Sequence, residues 1–313
     1  MDEIGGYFEL ELRKGEHYHK NAIRLNTARN AFEYILRVRK YNKVYIPYYT
    51  CEVMVQPLLK LGIKSEFYQI NEKLEPINLP QLKYSEAFLY TNYYGLKQSC
   101  VERLAEIYKH QLIVDNAQAF YTPAIKGIDT FYSARKFFGV PDGAYLYTDR
   151  LLDEEIEQDK SFYRMKHLIQ RIDEGAESAY SLFKKNDNAL DNQPIKQMSR
   201  LTERILQGID FDFIKYRRRE NYNFLSKNLF SRNILQLELP NDAVPMVYPY
   251  VTEDLKLKKR LISNKVFVAT YWPNVFKWAD KKMLDYKLAE QLIAIPIDQR
   301  YSLANLECIL NLF

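Results

Sequence analysis

The sequence is poor in the residues from which metal centres and disulfide frameworks are built. It has three cysteines and four histidines in 313 residues. Cys51, Cys100 and Cys308 are odd in number, lie far apart and form no Cys-x-x-Cys pair, so we expect neither a disulfide framework nor a zinc site. Only His17 and His19 are near neighbours, so we expect no histidine-rich metal centre and no histidine-dependent triad.

Long apolar runs and an excess of one charge are also missing. No stretch approaches the roughly 20 apolar residues of a membrane-spanning helix. The start of the chain, residues 1–6, has neither the basic nor the apolar part of a secretory leader, so we expect a cytoplasmic protein. The net charge is +5, and the densest basic cluster, Arg217 to Arg219, is typical of a solvated helix face. We therefore expect neither a membrane nor a nucleic-acid partner.

The sequence is rich in aromatic residues, with 26 tyrosines and 17 phenylalanines. Many of them must pack in a core or at an interface between subunits. The length suffices for a large α/β core and a smaller second domain. We predict an N-terminal arm (1–24), a large domain (25–212) and a small C-terminal α+β domain (213–313).

Short apolar runs alternate with helical patterns through the first half of the chain. This order predicts right-handed crossovers and a three-layer, mostly parallel α/β sheet. A polar stretch at 184–194 indicates a loop or mobile lid. The predicted strands are 43–47, 63–70, 87–92, 112–114, 130–132, 143–148, 247–251 and 266–269, and the predicted helices are 31–38, 53–61, 100–108, 153–171, 198–209, 213–229 and 254–263.

Lys136 closes a small-residue turn that places an amine beside a hydroxyl and a guanidinium. Lysine forms a Schiff base with pyridoxal phosphate (PLP), while Ser133 and Arg135 are suited to hold its phosphate. The same residues also fit a solvated basic turn, and Ser-x-x-Lys occurs in unrelated serine acyl enzymes. The turn therefore acquires meaning only from its surroundings.

Asp115 directly follows the predicted buried strand at 112–114. Ligands of open α/β sheets bind at this end of the strands, where a buried carboxylate needs a cationic partner. A protonated pyridine nitrogen meets that need, and Gln118 is placed to reach the phenolic oxygen of the ring or to pack on its face. The alternative is that Asp115 caps a following helix.

A helix that begins near Ala28 offers a second half of such a site. Asn26 or Thr27 can cap it, and its free backbone amides form a phosphate site to which Arg29 adds a full charge. A simple capped helix explains the same pattern.

The order of these parts resembles the fold-type I PLP enzymes, and within them the DegT/DnrJ/StrS sugar aminotransferases. The resemblance rests on Pro47-x-x-Thr50, Asp115-x-Ala-Gln118 and a lysine followed seven residues later by Gly143, and it covers roughly residues 20 to 150. It implies these roles: Lys136 binds the cofactor covalently, Asp115 pairs with the pyridine nitrogen, Gln118 lies near the ring oxygen, and Ala28, Arg29 and Asn30 form the phosphate-binding helix start.

The sequence departs from that family in three places. The family serine five residues before the lysine is Phe131 here, although Ser133 and Arg135 stand where other fold-type I enzymes place phosphate ligands. The aromatic residue that stacks on the ring aligns with Cys51, so stacking falls to Tyr49 or the thiol packs there. The Asn-x-Arg-Met motif, which reaches a neighbouring subunit in relatives, is replaced by the sequence at 195–198.

The resemblance implies a homodimer that moves an amino group from an amino acid such as glutamate to a keto group of a nucleotide-linked sugar, for surface polysaccharide or glycoconjugate synthesis. Two alternatives stay open. One is a different PLP reaction, namely sugar dehydration or a desulfuration that uses Cys51. The other is a sensor or binding protein without turnover. Lys136 favours transamination, because dehydratases of this family commonly replace that lysine.

Overall fold

The computed structural model describes residues 4–313, and its centre is a seven-stranded sheet. The strand order is β1-β7-β6-β5-β4-β2-β3. The five strands from β6 to β3 are parallel, whereas β7 runs antiparallel to both of its neighbours. The strands are β1 (Ile23–Leu25), β2 (Lys43–Pro47), β3 (Lys64–Tyr68), β4 (Glu86–Thr91), β5 (Leu112–Asn116), β6 (Asp129–Ser133) and β7 (Ala144–Tyr147).

Helices cover both faces of this sheet, as its continuous apolar strands require. One face packs against α1 and α2 through residues such as Phe32, Ile46 and Phe131. The other face shares one apolar core with the C-terminal part of the chain. The helices before and after β7 are α1 (Ala28–Arg39), α2 (Val55–Lys60), α3 (Gln98–Tyr108), α4 (Lys166–Glu174), α5 (Tyr180–Ala189), α6 (Arg200–Gln207) and α7 (Phe211–Leu229).

A two-stranded antiparallel sheet and four short helices complete the C-terminal part. Strand β8 pairs with β9 from Val247↔Pro296 to Val251↔Leu292. The elements are β8 (Val247–Val251), α8 (Leu255–Ser263), α9 (Val275–Trp278), α10 (Leu284–Gln291), β9 (Leu292–Pro296) and α11 (Leu303–Leu310). The predicted α/β fold with a mostly parallel sheet and a smaller α+β part is therefore confirmed. Within residues 4–313, no helix combines the length and apolarity needed to cross a bilayer.

Four predicted elements differ from the structure. Residues 153–161 form no helix, and 184–189 belong to helix α5 rather than to a loop. Strand β1 crosses the predicted boundary between the arm and the large domain; it is only three residues long and gains its partner from β7. Residues 266–269 form no strand, because the Val266 N–H donates to the Leu261 carbonyl and closes helix α8 instead. The second strand of the small sheet is β9, which directly follows α10.

His17 and His19 anchor the end of the arm on the large sheet. His17 Nδ1 lies 2.7 Å from the Tyr145 hydroxyl, and His19 Nε2 donates to the Phe120 carbonyl oxygen at 2.7 Å. Burial lowers the pKa of both histidines to about 4, so both rings are neutral near pH 7. These contacts give the two histidines a structural role.

Candidate functional site

The candidate site lies beyond the carboxyl ends of strands β4, β5 and β6. Lys136 ends a single 3₁₀ turn, Ala134–Lys136, that directly follows β6. Ala134 is fully buried, whereas Lys136 is exposed in the single chain. The turn therefore fixes its small residue in the core and leaves the lysine amine free.

Gly143 ties the lysine turn to the start of helix α1. Its N–H donates to the Asn26 carbonyl at 2.6 Å, and its own carbonyl accepts from the Ala134 N–H at 3.0 Å. Its φ is +116°, and a Cβ here would lie 3.0 Å from Thr202 Cγ2 and 3.3 Å from the Ala134 Cβ. Only glycine fits this position without strain, which explains the spacing between Lys136 and Gly143.

Asp115 is a buried carboxylate without a cation in ion-pair contact among residues 4–313. Its Oδ1 accepts from the Ala117 N–H at 2.8 Å, and its Oδ2 has only the Thr91 hydroxyl at 3.5 Å. Burial raises the pKa of Asp115 to about 6, although the Ala117 N–H, the charge of Lys136 and the Thr91 hydroxyl oppose this rise. No helix follows Asp115, since the next strand or helix is β6, so the helix-cap alternative is wrong.

Lys136 and Asp115 belong to one electrostatic environment. The positive charge of Lys136 lowers the pKa of Asp115 and also opposes the burial that raises the pKa of the Cys51 thiol. Arg29 and Asp115 act on the same thiol with opposite signs. These residues therefore face a common space, although Lys136 and Arg29 stand 107 positions apart in the numbering.

Gln118 is held by the backbone at the end of β4. Its Oε1 accepts from the Tyr94 N–H at 2.9 Å, and Tyr94 has a positive φ of 57°. The side chain is buried, and its amide nitrogen has no hydrogen-bond partner within the described chain. One end of the amide is thus fixed and the other is free to donate.

Unpaired donors gather at the start of helix α1 and at the end of β6. The Thr27 hydroxyl caps α1 by accepting from the Asn30 N–H at 3.1 Å. The N–H groups of Ala28 and Arg29 have no acceptor among residues 4–313, and neither has the buried Ser133 hydroxyl. Two free amides and a hydroxyl are a suitable set of donors for a phosphate group.

The Asn30 side chain does structural work at this helix start. Its Nδ2 donates to Asn26 Oδ1 at 2.9 Å and to the Pro194 carbonyl at 2.7 Å. Asn30 therefore holds the segment after α5 against α1. Its backbone N–H is also used, because it donates to the Thr27 hydroxyl. The amide N–H groups of the Asn30 side chain, which we predicted to lie at the phosphate site, are therefore already used in hydrogen bonds within the protein.

Two carboxylates from α5 and the segment after it pair with the two arginines of the site. Arg135 Nη2 lies 2.9 Å from Asp187 Oδ1, and Arg29 forms an ion pair with Asp191. Arg135, Lys136 and Arg29 all lower the pKa of Asp187. The positive charge of the site is thus partly neutralised by an acidic segment, Asp187 to Asp191, which we call the acidic strap.

The structure also places the four other positions that the sequence singled out. Tyr49 is fully buried, with its hydroxyl 3.1 Å from that of Tyr94, while Cys51 is partly exposed beside it. Phe131 points into the core, with its ring 5.9 Å from that of Phe32, so this position offers nothing to a phosphate. The stretch 195–198 runs along β1 of its own chain, with the Lys196 carbonyl accepting from the Asn26 N–H at 2.9 Å.

One residue near the site was missed by the sequence analysis. Burial raises the pKa of Tyr271, in the C-terminal part. The charge of Lys136 opposes this rise, and Cys51 adds to it. Its ring lies 6.1 Å from that of Tyr94, whose N–H binds Gln118, so Tyr271 lies beside the site. It belongs to no motif and lies in irregular backbone, so only the folded chain reveals its position.

No protein-family model and no curated protein sequence matches this chain. Solved structures do match over nearly its whole length. The sugar aminotransferase CalS13 from Micromonospora echinospora is 15% identical, with a TM-score of 0.61 over 93% of this chain and 86% of its own. NtdA from Bacillus subtilis, with bound cofactor PMP, is 15% identical, with a TM-score of 0.65 over 93% and 72%.

A dehydratase matches equally well. The GDP-4-keto-6-deoxymannose-3-dehydratase ColD, solved as a mutant with bound GDP-perosamine, is 12% identical, with a TM-score of 0.62 over 93% of this chain and 87% of its own. The predicted resemblance is thus confirmed at the level of the fold. The chain shares the three-layer architecture of these solved structures.

Proposed function

We propose that this protein is a PLP-dependent aminotransferase that acts on a sugar. One observation carries the proposal: the buried carboxylate of Asp115 has no ion-pair partner, and the rise of its pKa on burial is opposed by the charge of a lysine, Lys136, whose amine is free. A buried charge of this kind costs free energy unless a ligand pairs with it. The fold shared with CalS13 and NtdA supports the same proposal.

The donors of the site suit the parts of PLP. The free N–H groups of Ala28 and Arg29 and the Ser133 hydroxyl match the needs of its phosphate, and Asp115 matches the needs of its protonated ring nitrogen. When bound, PLP supplies an aldehyde that lysine can bind and a ring that accepts electrons from a substrate carbon. Lys136 is the residue we assign to that aldehyde.

The residues of the chain then divide the work. Asp115 is negatively charged near pH 7, so it would pair with a positively charged group of the ligand. In its unprotonated form the Lys136 amine would be the base that takes the proton from the α-carbon of the amino donor. Gln118, fixed at Tyr94, orients its free amide N–H toward the ligand. Cys51 stands where relatives carry a stacking aromatic residue.

One finer part of the proposal, the nature of the acceptor, is supported by a solved structure that shares the fold. ColD was solved with GDP-perosamine, a nucleotide-linked sugar. We propose that the acceptor here is a keto group of a nucleotide-linked sugar and that an amino acid such as glutamate is the donor. We further propose a role in surface polysaccharide or glycoconjugate synthesis, a cytoplasmic location and the division into an arm and two domains at residues 24 and 212.

A sugar dehydratase is the second candidate, because ColD shares the fold. The free lysine amine of Lys136 favours transamination over dehydration. The visible spectrum of the purified protein with PLP distinguishes the two. For an aminotransferase we expect a band at the violet edge that shifts when glutamate is added. A band that glutamate leaves unchanged would contradict transamination with this donor and favour the dehydratase or sensor alternative.

The acidic strap leads to a prediction about cofactor affinity. Asp187 and Asp191 occupy the arginines that we assign to the phosphate, so the phosphate must compete with them. We expect Asp187→Asn combined with Asp191→Asn to bind PLP roughly tenfold more tightly, since each freed guanidinium gains a charge-assisted contact. Absorbance titration gives the dissociation constant. Asp173→Asn on the exposed face of α4 is the control, and weaker binding by the double variant would show that the strap positions the arginines instead.

We also propose that the protein is a homodimer. Helices α4 and α5 pack on each other, and both expose apolar side chains: Ile172 is 84% exposed, Tyr180 56% and Ile169 54%. Exposed apolar residues grouped in this way mark an interface. Light scattering at micromolar concentration should give the mass of two chains, and the charged variant Ile172→Glu should lower that mass. A monomeric wild-type protein would overturn the proposal.

A further inference from the structure

Tyr271 reaches the carboxyl ends of the sheet from the other end of the chain. Its ring lies 6.1 Å from the ring of Tyr94, centroid to centroid. Tyr94 follows β4, and its N–H binds Gln118, one of the residues we assign to the cofactor. Tyr271 is thus next to Tyr94, which in turn contacts a residue of the proposed site.

Two contacts hold the loop that carries Tyr271. Asn274 Nδ2 donates to the Thr50 carbonyl at 2.8 Å in a buried hydrogen bond. Trp272 packs edge-on against Tyr49, with ring centroids 5.0 Å apart. Because Thr50 and Tyr49 directly precede Cys51, these contacts fix the Tyr271 loop beside the thiol of the site. The position of Tyr271 follows from the packing of this loop.

The hydroxyl of Tyr271 differs from those of the tyrosines around it. The Tyr49 and Tyr94 hydroxyls share a hydrogen bond of 3.1 Å, and the Tyr93 hydroxyl donates to the Tyr49 carbonyl at 2.9 Å. Within residues 4–313 the Tyr271 hydroxyl has no such partner. Tyrosine hydroxyls in enclosed surroundings normally find one, so this hydroxyl is available to another group of the site.

A buried cation lies next to the turn that carries Lys136. Arg218 of helix α7 is 1% exposed, and its guanidinium carbon lies 4.6 Å from the centroid of the Phe137 ring, next to Lys136. Arg218 Nη1 donates to the Met246 carbonyl at 2.8 Å, and no carboxylate of the described chain lies in ion-pair contact with it. Burial raises the pKa of Tyr271, and the positive charges of Lys136 and Arg218 oppose this rise.

We propose that Tyr271 is a positioning residue of the active site, whose hydroxyl donates a hydrogen bond to the side-chain nitrogen of Lys136. This inference rests on the proposed function. The O–H group of a phenol donates to the lone pair of an unprotonated nitrogen, and this contact stabilises the unprotonated form. Tyr271 thereby keeps the Lys136 nitrogen ready to accept a proton and directed into the site.

The test is Tyr271→Phe, which removes one oxygen atom and keeps the ring. We expect the PLP dissociation constant to stay within about threefold of wild type, because Lys136 and Asp115 are intact. The pH at which the violet absorption band changes should rise, since the unprotonated nitrogen loses its donor. The rate of a single turnover with glutamate should fall roughly tenfold to a hundredfold. Tyr286→Phe, on α10 against Phe276, is the matched control.

Each outcome decides the point. A Tyr271→Phe protein whose band midpoint and rate equal those of the Tyr286→Phe control would overturn the assignment of Tyr271 and leave the proposed function intact. Loss of PLP binding at an unchanged melting temperature would overturn it too, because a positioning residue acts on a lysine that still binds. Tyr271→His restores a ring donor and should recover part of the rate, whereas Tyr271→Leu should not. A wild-type protein without the violet band would instead overturn the proposed function itself.

Discussion

Replacing Lys136 by alanine is expected to abolish the violet absorption band and to lower the transamination rate at least about a thousandfold. The variant removes both the nitrogen that binds the cofactor and the base that moves the proton. Lys136 is exposed and makes no ion pair among residues 4–313, so the free energy of unfolding should change by less than about 0.5 kcal/mol. Absorbance with added PLP and a single-turnover assay with glutamate measure the two losses.

Two controls separate the chemistry of Lys136 from its charge. Lys136→Arg keeps a positive charge opposite Asp115 but offers no amine that can bind an aldehyde, so it should fail like the alanine variant. Lys126→Ala removes another exposed lysine far from the site and should behave as wild type. A Lys136→Arg protein with an intact violet band would show that a different lysine binds the cofactor.

Replacing Asp115 by asparagine is expected to have opposite effects on cofactor binding and on stability. Asparagine keeps an acceptor for the Ala117 N–H but loses the negative charge. PLP should bind roughly a hundredfold more weakly, because the ring nitrogen loses a buried ionic partner. The turnover rate should fall by about the same factor. Titration of PLP followed by absorbance measures the first effect.

The stability effect of Asp115→Asn follows from the sign of the pKa shift. Burial raises the pKa of Asp115 from 3.8 to about 6, so between these values the unfolded chain loses its proton first and stability falls as the pH rises. At pH 7 nearly the full cost is present, and the cofactor-free variant should be more stable than wild type by up to about 3 kcal/mol. Urea unfolding at pH 7 and at pH 4.5 should show that this gain shrinks at the lower pH.

Asp129 provides the control for this pair of effects. It is fully buried on the neighbouring strand β6, but Arg39 binds both of its oxygens, at 2.7 and 2.8 Å. Asp129→Asn should therefore destabilise the protein by about 3 kcal/mol, since it removes the charge of the buried carboxylate of the two that pair with Arg39. An Asp115→Asn variant that is destabilised in the same way would show that Asp115 is a structural carboxylate.

The central part of the fold could be predicted from the sequence because its signals are local. Strands β2, β4 and β5 are short apolar runs of the kind that parallel sheets bury on both faces, and helices lie between them. The turn at Lys136 and its distance to Gly143 are also local, and the positive φ of Gly143 explains that spacing. Asp115, Arg135 and Lys136, three of the residues that we assign to the cofactor, lie on these elements.

The missed features depend on contacts between distant parts of the chain. The contact of Asn274 with Thr50 spans 224 positions, and no local pattern marks it or the neighbouring Tyr271. Helix α5 contains the polar stretch that resembles a loop, and it gains support by packing on α4, where the Phe183 ring lies 5.8 Å from that of His167. Tertiary packing here overrides a weak local helix preference. The acidic strap was not predicted for the same reason, because Asp187 and Asp191 meet their arginines only in the folded chain.

The most direct test of the account is to reduce the PLP-loaded protein with borohydride, digest it and locate the modified lysine by mass spectrometry. Reduction fixes the bond between the cofactor and the lysine that holds it. If Lys136 binds the cofactor, we expect a single modification on the peptide that contains Lys136, and none in Lys136→Ala. A modification on any other lysine of the wild-type protein, or no modification at all, would contradict it.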